Sequence, residues 1–349
     1  MRTGFALLMS CLLWITPVGS KIKTDKDREG LIGPVKTVKA YLVEFVRKDN
    51  QIVEGTRRPW HTTTYNTEGN IIEKTTFEHG AITARYVHTY DANGRNTGYE
   101  EYSAILDKTL TIPRRHVYTL DAEGRKVEYT VFSSDGNIDT RFAYKYDTAG
   151  NLIEDEWYAH TGQLGGRTVS TYDEKGNQTS QASYEGNGTL SWKNISKYDG
   201  DGNRTETLQY YGNTLRYKVL LSYDRKGRIS ETEIAEFNGK PGTLPITHTP
   251  EPGKVVYTYD DDKRTKEVAT YGVDGTLKGK VAYAYDEQKN EVGRTAFKAV
   301  GSPKNGESQL FDIEYDSHGN WTKKVRLNQS EKGGQPQPYH AELRVITYY

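Results

Sequence analysis

Residues 146–151 are Tyr-Asp-Thr-Ala-Gly-Asn, and residues 172–177, 26 positions further on, are Tyr-Asp-Glu-Lys-Gly-Asn. This pattern, Tyr-Asp-x-x-Gly followed by Asn or Arg, recurs along almost the whole chain. Clear copies begin at Tyr90, Tyr146, Tyr172, Tyr198, Tyr223 and Tyr315, and weaker copies begin at Tyr65, Leu120, Tyr259 and Tyr285. Most steps between neighbouring copies are 25, 26 or 30 residues. A fixed period of this length is typical of a repeat architecture.

The motif itself predicts a hairpin turn. Asp at the first turn position accepts backbone N–H groups further on, and Gly at the fourth takes the left-handed conformation of a type I turn with a G1 bulge. The residues that precede each motif alternate between apolar and polar, as in Tyr217, Val219, Leu221 and Tyr223. Alternation with one apolar face indicates antiparallel strands that are covered on one side.

A second aromatic position lies twelve residues after the motif start in eight of the ten copies, and a further turn signal follows it. These aromatic residues are Phe77, Tyr102, Phe132, Tyr158, Tyr184, Tyr210, Tyr271 and Phe297. Each repeat therefore supplies two strands, and the chain is predicted to be all-β, an antiparallel meander of roughly twenty strands. Because neighbouring strands twist by about 20–25°, we expect a coiled ribbon or an open shell, with a flat single-layer sheet as the alternative.

The organisation along the chain follows from the repeat. Residues 1–20 have one Arg, an apolar run and small residues at the end, which predicts a secretory signal peptide cleaved after Ser20; a lipoprotein attached through Cys11 is the alternative. Residues 21–60 are interpreted as an N-terminal capping segment and residues 61–330 as the repeat array. A proline-containing loop insertion is expected at 238–254. Residues 331–349 would form a C-terminal loop and capping strand.

Composition limits the functional classes. Lys plus Arg and Asp plus Glu are 47 each, so no net charge draws the chain toward nucleic acid or an anionic membrane. Cys11 is the only cysteine, so after the expected cleavage at Ser20 the chain would have no disulfide and no thiolate chemistry. The apolar run in residues 1–20 is too short to span a membrane. The 27 Tyr residues indicate an ordered protein in which tyrosine supplies much of the burial.

The motif copies resemble the YD/RHS repeats of bacterial secreted, cell-surface and toxin-carrying proteins, over approximately residues 60–330. The resemblance implies a β-sheet shell and carbohydrate binding by the repeats. Within residues 1–349 we recognise neither the Asp-Pro-containing self-cleavage motif of the large members nor a toxin-sized domain, so a toxin-encapsulating role is not expected. Residues 271–277 also resemble, more weakly, the hairpin repeats of MORN-type proteins.

Candidate ligand-binding residues are Trp157, Trp192 and Trp321, whose rings suit stacking on a sugar or a peptide; the alternative is that they fill the covered face of the sheet. Glutamates recur eight residues after the motif start, at Glu73, Glu128, Glu154, Glu206, Glu231 and Glu267. They could supply paired carboxylates for glycoside hydrolysis, but a repeated position favours cross-strand ion pairs. His88 and His116 are interpreted as packed sheet residues.

We therefore expect a non-enzymatic, secreted or periplasmic structural or interaction protein of the cell envelope, with a glycan or a surface protein as ligand. The alternative is a carbohydrate-active enzyme that uses the repeated carboxylates. No catalytic residue, cofactor or metal site is predicted; a weak cation site at Asp260, Asp261 and Asp262 is the one candidate. Lys263 and Lys289 occupy the position of the turn glycine, so their hairpins are expected to be the least regular.

Overall fold

A computed structural model describes residues 24–105, 109, 112–237, 251–298, 308–328 and 335–349. The predicted signal peptide, Cys11 and residues 238–250 of the predicted insertion lie outside these ranges. The described residues form 22 strands and a single helical turn, so the prediction of an all-β protein is confirmed. The division into capping segments and repeat array stays a prediction.

The elements are, in chain order, helix α1 (Asp25–Arg28) and strands β1 (Val35–Lys48), β2 (Gln51–Tyr65), β3 (Ile71–Glu78), β4 (Ala81–Tyr90), β5 (Asn96–Ser103), β6 (Arg114–Leu120), β7 (Lys126–Phe132), β8 (Ile138–Tyr146), β9 (Leu152–Ala159), β10 (Leu164–Tyr172), β11 (Gln178–Glu185), β12 (Leu190–Tyr198), β13 (Arg204–Tyr211), β14 (Thr214–Tyr223), β15 (Ile229–Glu236), β16 (Gly253–Asp260), β17 (Thr265–Tyr271), β18 (Leu277–Tyr285), β19 (Glu291–Lys298), β20 (Gln309–Tyr315), β21 (Trp321–Asn328) and β22 (Gln337–Tyr348).

The sheet closes on itself. Each strand pairs antiparallel with the next, and β1 also pairs with β22, for example through Val38 opposite Ile346 and Ala40 opposite Arg344. We call this β1–β22 pairing the seam. The expected coiled ribbon or open shell is therefore wrong, and so is the flat alternative. The physical reason is that the two end strands, which were expected to protect separate edges, satisfy each other's backbone groups.

The motif turns have the expected chemistry, as in residues 147–151. The Asp147 N–H donates to the Asn151 carbonyl at 3.0 Å, and the Gly150 N–H donates to the Asp147 carbonyl at 3.0 Å. Asp147 Oδ1 accepts from the N–H groups of Ala149 and Asn151 at 2.9 and 2.8 Å, and Oδ2 accepts from Asn151 Nδ2 at 2.9 Å. Gly150 has φ of 89°, where a side chain would be strained. One carboxylate thus holds the whole turn.

Two turns lack the glycine. Lys289 has φ of 65°, so it does occupy the left-handed position as expected. The expectation for Lys263 is wrong, because the left-handed residue there is Arg264, with φ of 50°. Asp260, the last residue of β16, still pairs with Thr265, the first residue of β17, so this turn begins one residue later than the motif predicts.

A second interaction, which we call the tyrosine latch, links successive repeats. Between β9 and β10 the backbone pairing nearest the motif turns is that of Glu154 with Val169. Beyond it, the Tyr172 hydroxyl donates to the Leu152 carbonyl at 2.9 Å. Equivalent hydroxyls on Tyr90, Tyr146, Tyr198, Tyr223 and Tyr259 donate to the carbonyls of Ile71, Lys126, Gln178, Arg204 and Ile229. The motif tyrosine therefore satisfies a carbonyl that lies beyond the pairing of the strands.

The register gives the sheet two chemically different faces. The tyrosine face carries the motif tyrosines and the alternating residues of the same parity, such as Tyr217 and Val219 in β14. The ladder face carries the repeated glutamates, among them Glu128, Glu154 and Glu206, with Lys and Arg on neighbouring strands. The period-two alternation seen in the sequence is thus the division between these faces.

Hydrophobic side chains are most fully buried at the seam. On the tyrosine face one cluster joins Leu31, Val35, Val38 and Tyr65. On the ladder face a second cluster joins Val43, Val325, Ala341 and Leu343. Lys323 Nζ in β21 lies 2.6 Å from a carboxylate oxygen of Glu54 in β2, so the end of the β1–β2 hairpin lies over the second cluster. The closure of the sheet is therefore supported by packing on both faces.

The segment 24–34 ties together the two motif turns that flank the seam. The Lys26 N–H donates to the Gly69 carbonyl at 2.9 Å. On the other side, the Ile32 N–H donates to Asn320 Oδ1 at 2.7 Å, and Asn320 Nδ2 donates back to the Ile32 carbonyl at 2.8 Å. Asn320 is only 3% exposed, so these bonds satisfy a buried amide.

The tyrosine latch can be tested at Tyr198. The Tyr198→Phe substitution removes the hydroxyl that donates to Gln178 and leaves a part-buried carbonyl without it, so we expect the free energy of unfolding to fall by about 1 kcal/mol in urea denaturation. Tyr184→Phe is the matched control, because that hydroxyl makes no hydrogen bond within the described residues while its ring lies under Arg167. Equal effects of the two substitutions would contradict a latch.

The left-handed turn residue can be tested at Lys289. The Lys289→Gly substitution removes a strain of about 1 kcal/mol at positive φ, so the melting temperature should rise. Lys263→Gly is the control, because this lysine lies outside the left-handed position and its replacement should bring no such gain. A melting temperature that rises in Lys263→Gly but not in Lys289→Gly would contradict this assignment of the left-handed residues in the two turns.

Candidate functional site

Trp157 lies over a floor of glycines on the tyrosine face. It belongs to β9 and is 44% exposed. A Cβ atom at Gly165 would lie 2.1 Å from Trp157 Cη2, and one at Gly166 would lie 2.7 Å from Trp157 Nε1. Any side chain at either position would collide with the ring. The two glycines of β10 therefore make the room that the indole occupies.

A cleft of about 430 Å³ opens beside this ring. Its lining includes the apolar surfaces of Trp157 and Leu164 and the polar side chains of Gln163, Glu185 and Asn187. A partly exposed indole with an amide and a carboxylate at its edge can hold a ligand that has an apolar face and hydroxyl groups. We call this site the Trp157 cleft.

The structure does not bring the three candidate tryptophans together. Trp192 lies in β12, three strands from Trp157, which corresponds to about 14 Å across the sheet. Trp321 lies in β21, on a distant part of the sheet, and the guanidinium of Arg344 is 3.5 Å from its ring centroid. Of the three, Trp157 alone lines the cleft described above.

A second cluster departs from the repeat on the same face. His116 in β6 is 7% exposed and stacks on Tyr99 with ring centroids 4.1 Å apart. Its Nδ1 lies 2.7 Å from the Tyr129 hydroxyl and its Nε2 lies 3.2 Å from Glu101 Oε2. His88 also contacts Tyr99, at 5.4 Å between centroids. Both histidines are thus packed in the sheet, as the sequence indicates.

Protonation in this cluster follows from its hydrogen bonds. The hydrogen bond from His116 lowers the pKa of Glu101, so this carboxylate is ionised and accepts. Burial raises the pKa of Tyr129 to about 12, so its hydroxyl, which lies beside His116 Nδ1, keeps its proton. His116 then donates from Nε2 to Glu101. A tyrosine that holds its proton so firmly is a poor nucleophile.

The position of this cluster has a structural explanation. Leu120 stands where other repeats have the motif tyrosine, so the junction between β5 and β6 has no latch hydroxyl. The His116–Glu101 hydrogen bond and the Tyr99–His116 stack both cross this junction. The cluster therefore replaces the missing latch.

The repeated glutamates form ion pairs on the ladder face. Glu206 contacts Lys197 at 2.7 Å and Lys218 at 3.0 Å, and these hydrogen bonds lower the pKa of its carboxyl. Four other members pair with cations of adjacent strands: Glu128 with Arg141, Glu154 with Lys145, Glu231 with Lys254, and Glu267 with Lys280. Glu206, whose carboxyl is held ionised in this way, is a poor general acid.

The aspartate cluster at 260–262 is occupied by cations of the protein itself. Asp261 contacts Lys226 and Arg228, both at 2.6 Å. Within the described ranges, no group of three or more His, Cys, Asp or Glu side chains is arranged to hold a metal ion. In the same ranges, no helix is long and apolar enough to cross a membrane.

No protein-family model matches the chain, and no curated protein sequence matches it. Among solved structures, similar chains include the Tc toxin component TcdB2-TccC3, with 14% identity over 81% of this chain and a TM-score of 0.25. The Photorhabdus luminescens Tc holotoxin pore has 13% identity over 80% of this chain and a TM-score of 0.19. This chain spans 19% and 22% of those toxin chains. A porin-like protein from Bacteroides uniformis has 12% identity over 90% of this chain and 99% of its own, with a TM-score of 0.27.

The missing latch can be restored. In Leu120→Tyr the new hydroxyl would lie beside the Asn96 carbonyl, the equivalent of Leu152 for Tyr172, and should raise the free energy of unfolding by about 1 kcal/mol. Leu120→Phe is the control, since it has the ring without the hydroxyl. Urea denaturation of the two variants measures the difference. A Tyr variant no more stable than the Phe variant would contradict the proposed equivalence.

Proposed function

We propose that the protein is a non-enzymatic interaction scaffold of the bacterial cell envelope, secreted or periplasmic, that binds a glycan in the Trp157 cleft. The leader-like residues 1–20 support export, and the resemblance to YD/RHS repeats supports a surface role. The observation that carries the choice of ligand is the partly exposed indole of Trp157 on its glycine floor, with polar side chains at the edge. Another surface protein is the alternative ligand.

The shape of the cleft supports a sugar. A pyranose ring has an apolar face that stacks on an indole, and its hydroxyls need donors and acceptors in the plane of that ring. Gln163 and Asn187 offer both, and Glu185 offers an acceptor. Because the indole lies against the backbone of Gly165 and Gly166, the ring of the ligand would stack on its exposed side. Trp157 would thus give the affinity, and the three polar side chains would select the sugar.

A carbohydrate-active enzyme remains the second candidate, on one specific observation. Burial raises the pKa of Asp155, which lies two residues from Trp157 on the tyrosine face. Such a carboxyl could act as a general acid. Glycoside hydrolysis ordinarily also needs a second carboxylate opposite the first. The repeated glutamates lie on the other face in ion pairs, so Glu185 of the Trp157 cleft would have to serve as that partner. We favour the scaffold because the chain consists mainly of repeated hairpins.

A glycan array followed by titration tests the proposal. We expect the unmodified protein to bind a set of glycans and Trp157→Ala to lose at least tenfold in affinity for them. Trp60→Ala is the matched control, because Trp60 is equally exposed at 43% but lies in β2 away from the cleft. Unchanged binding by Trp157→Ala would contradict the site. If the unmodified protein released shortened glycan and Asp155→Asn did not, the protein would be an enzyme and the scaffold proposal would be wrong.

A further inference from the structure

The tyrosine face changes character between β9 and β13. The residue four positions before the start of each motif copy lies on this face. Along the chain these residues are His61, Tyr86, His116, Phe142, Thr168, Asn194, Val219, Val255, Val281 and Phe311. Eight of the ten side chains are rings or valines, and Thr168 and Asn194 are neither. The repeats that contain β10 and β12 therefore place polar groups where the other repeats place a ring or a valine.

The strands beside these two positions are polar as well. Thr168 lies opposite Ser183, and Asn194 lies opposite Gln181 on one side and Gln209 on the other. We call these five half-buried residues the polar tract. The side-chain amides of Gln181, Asn194 and Gln209 make no hydrogen bond to another described residue, and none of them is fully buried. Each amide can both donate and accept, so the polar tract offers a row of accessible groups to a ligand.

Two indoles flank the polar tract. Trp157 lies opposite Gly166 of β10, and its ring extends over that glycine. Trp192 lies opposite Ser183 of β11 and is also partly exposed. The two tryptophans are three strands apart, about 14 Å across the sheet, and the tyrosine-face side chains between them are small or polar. This span is longer than a single pyranose ring.

We propose that the ligand of the Trp157 cleft is a linear, neutral glycan whose chain crosses the strands from Trp157 over the polar tract to Trp192. Each indole would stack on one sugar ring, and the amides would bind the hydroxyl groups between them. Asp155 lies opposite Thr168 and Glu185 lines the cleft, so two carboxyl groups disfavour an anionic chain. This inference rests on the proposed glycan-binding function and adds the length, direction and charge of the ligand.

Titration calorimetry with glycans of two lengths tests the proposal, using the disaccharide and the hexasaccharide of the cellulose, chitin and amylose series. In at least one series we expect the hexasaccharide to bind at least tenfold more tightly, because its second stacking contact forms within one complex. Trp192→Ala should remove this difference by weakening the hexasaccharide alone, whereas Trp157→Ala should weaken both lengths. Trp60→Ala is the matched control, because Trp60 is 43% exposed but lies in β2, away from the polar tract.

Several results would overturn the inference while leaving the Trp157 proposal intact. These are equal affinity for the two lengths, unchanged hexasaccharide binding by Trp192→Ala, and binding confined to branched or charged glycans on the array. No binding of any glycan would overturn both proposals. Should Trp192→Ala fail to fold, Gln181→Leu takes its place, because it removes the amide and keeps a side chain of similar size. Its expected effect is a loss of about threefold for the hexasaccharide alone; no loss would count against the polar tract.

Discussion

The backbone pairing of β1 with β22 is the constraint on which the rest of the structure depends. A single-layer sheet has no second layer against which to bury its faces, and an open one would leave two rows of unpaired N–H and C=O groups. The seam removes both edges at once. The most fully buried side chains gather there, with Val35 and Val38 on one face and Val43 and Ala341 on the other. Closure and packing thus support each other at the same place.

Elsewhere the protein is held together more by hydrogen bonds than by a core. Motif aspartates such as Asp147 satisfy the N–H groups of their turns, and six motif tyrosines, Tyr172 among them, satisfy a carbonyl of the preceding repeat. Where Leu120 removes one such hydroxyl, His116 and Glu101 supply another link across the same junction. The repeat therefore sets a regular pattern of turns and latches, and departures from this pattern mark places with different side-chain contacts. The glycine floor under Trp157 is a second departure of this kind.

Local features of this fold could be predicted from the sequence, and long-range ones could not. Gly150 indicates its turn and Tyr172 indicates its strand, because both signals depend on neighbouring residues in the sequence. The closure depends on the summed twist of 22 strands, for which no short segment gives a signal. Trp157 was recognisable as a ring suited to stacking, and the Gly165–Gly166 pair was the overlooked sign of its cleft. The contact of Arg344 with Trp321 could not be predicted from the sequence, because it depends on the register of β22.

The most direct test of the closed sheet is a disulfide across the seam. Lys39 and Val345 are register partners on the ladder face, so in a Cys11→Ser background Lys39→Cys with Val345→Cys should give an intramolecular disulfide under mild oxidation. Thr171→Cys with Ser180→Cys, register partners of β10 and β11, is the positive control. Mass spectrometry of peptides should find both crosslinks within one chain. A control crosslink without the seam crosslink would contradict the closure of the sheet.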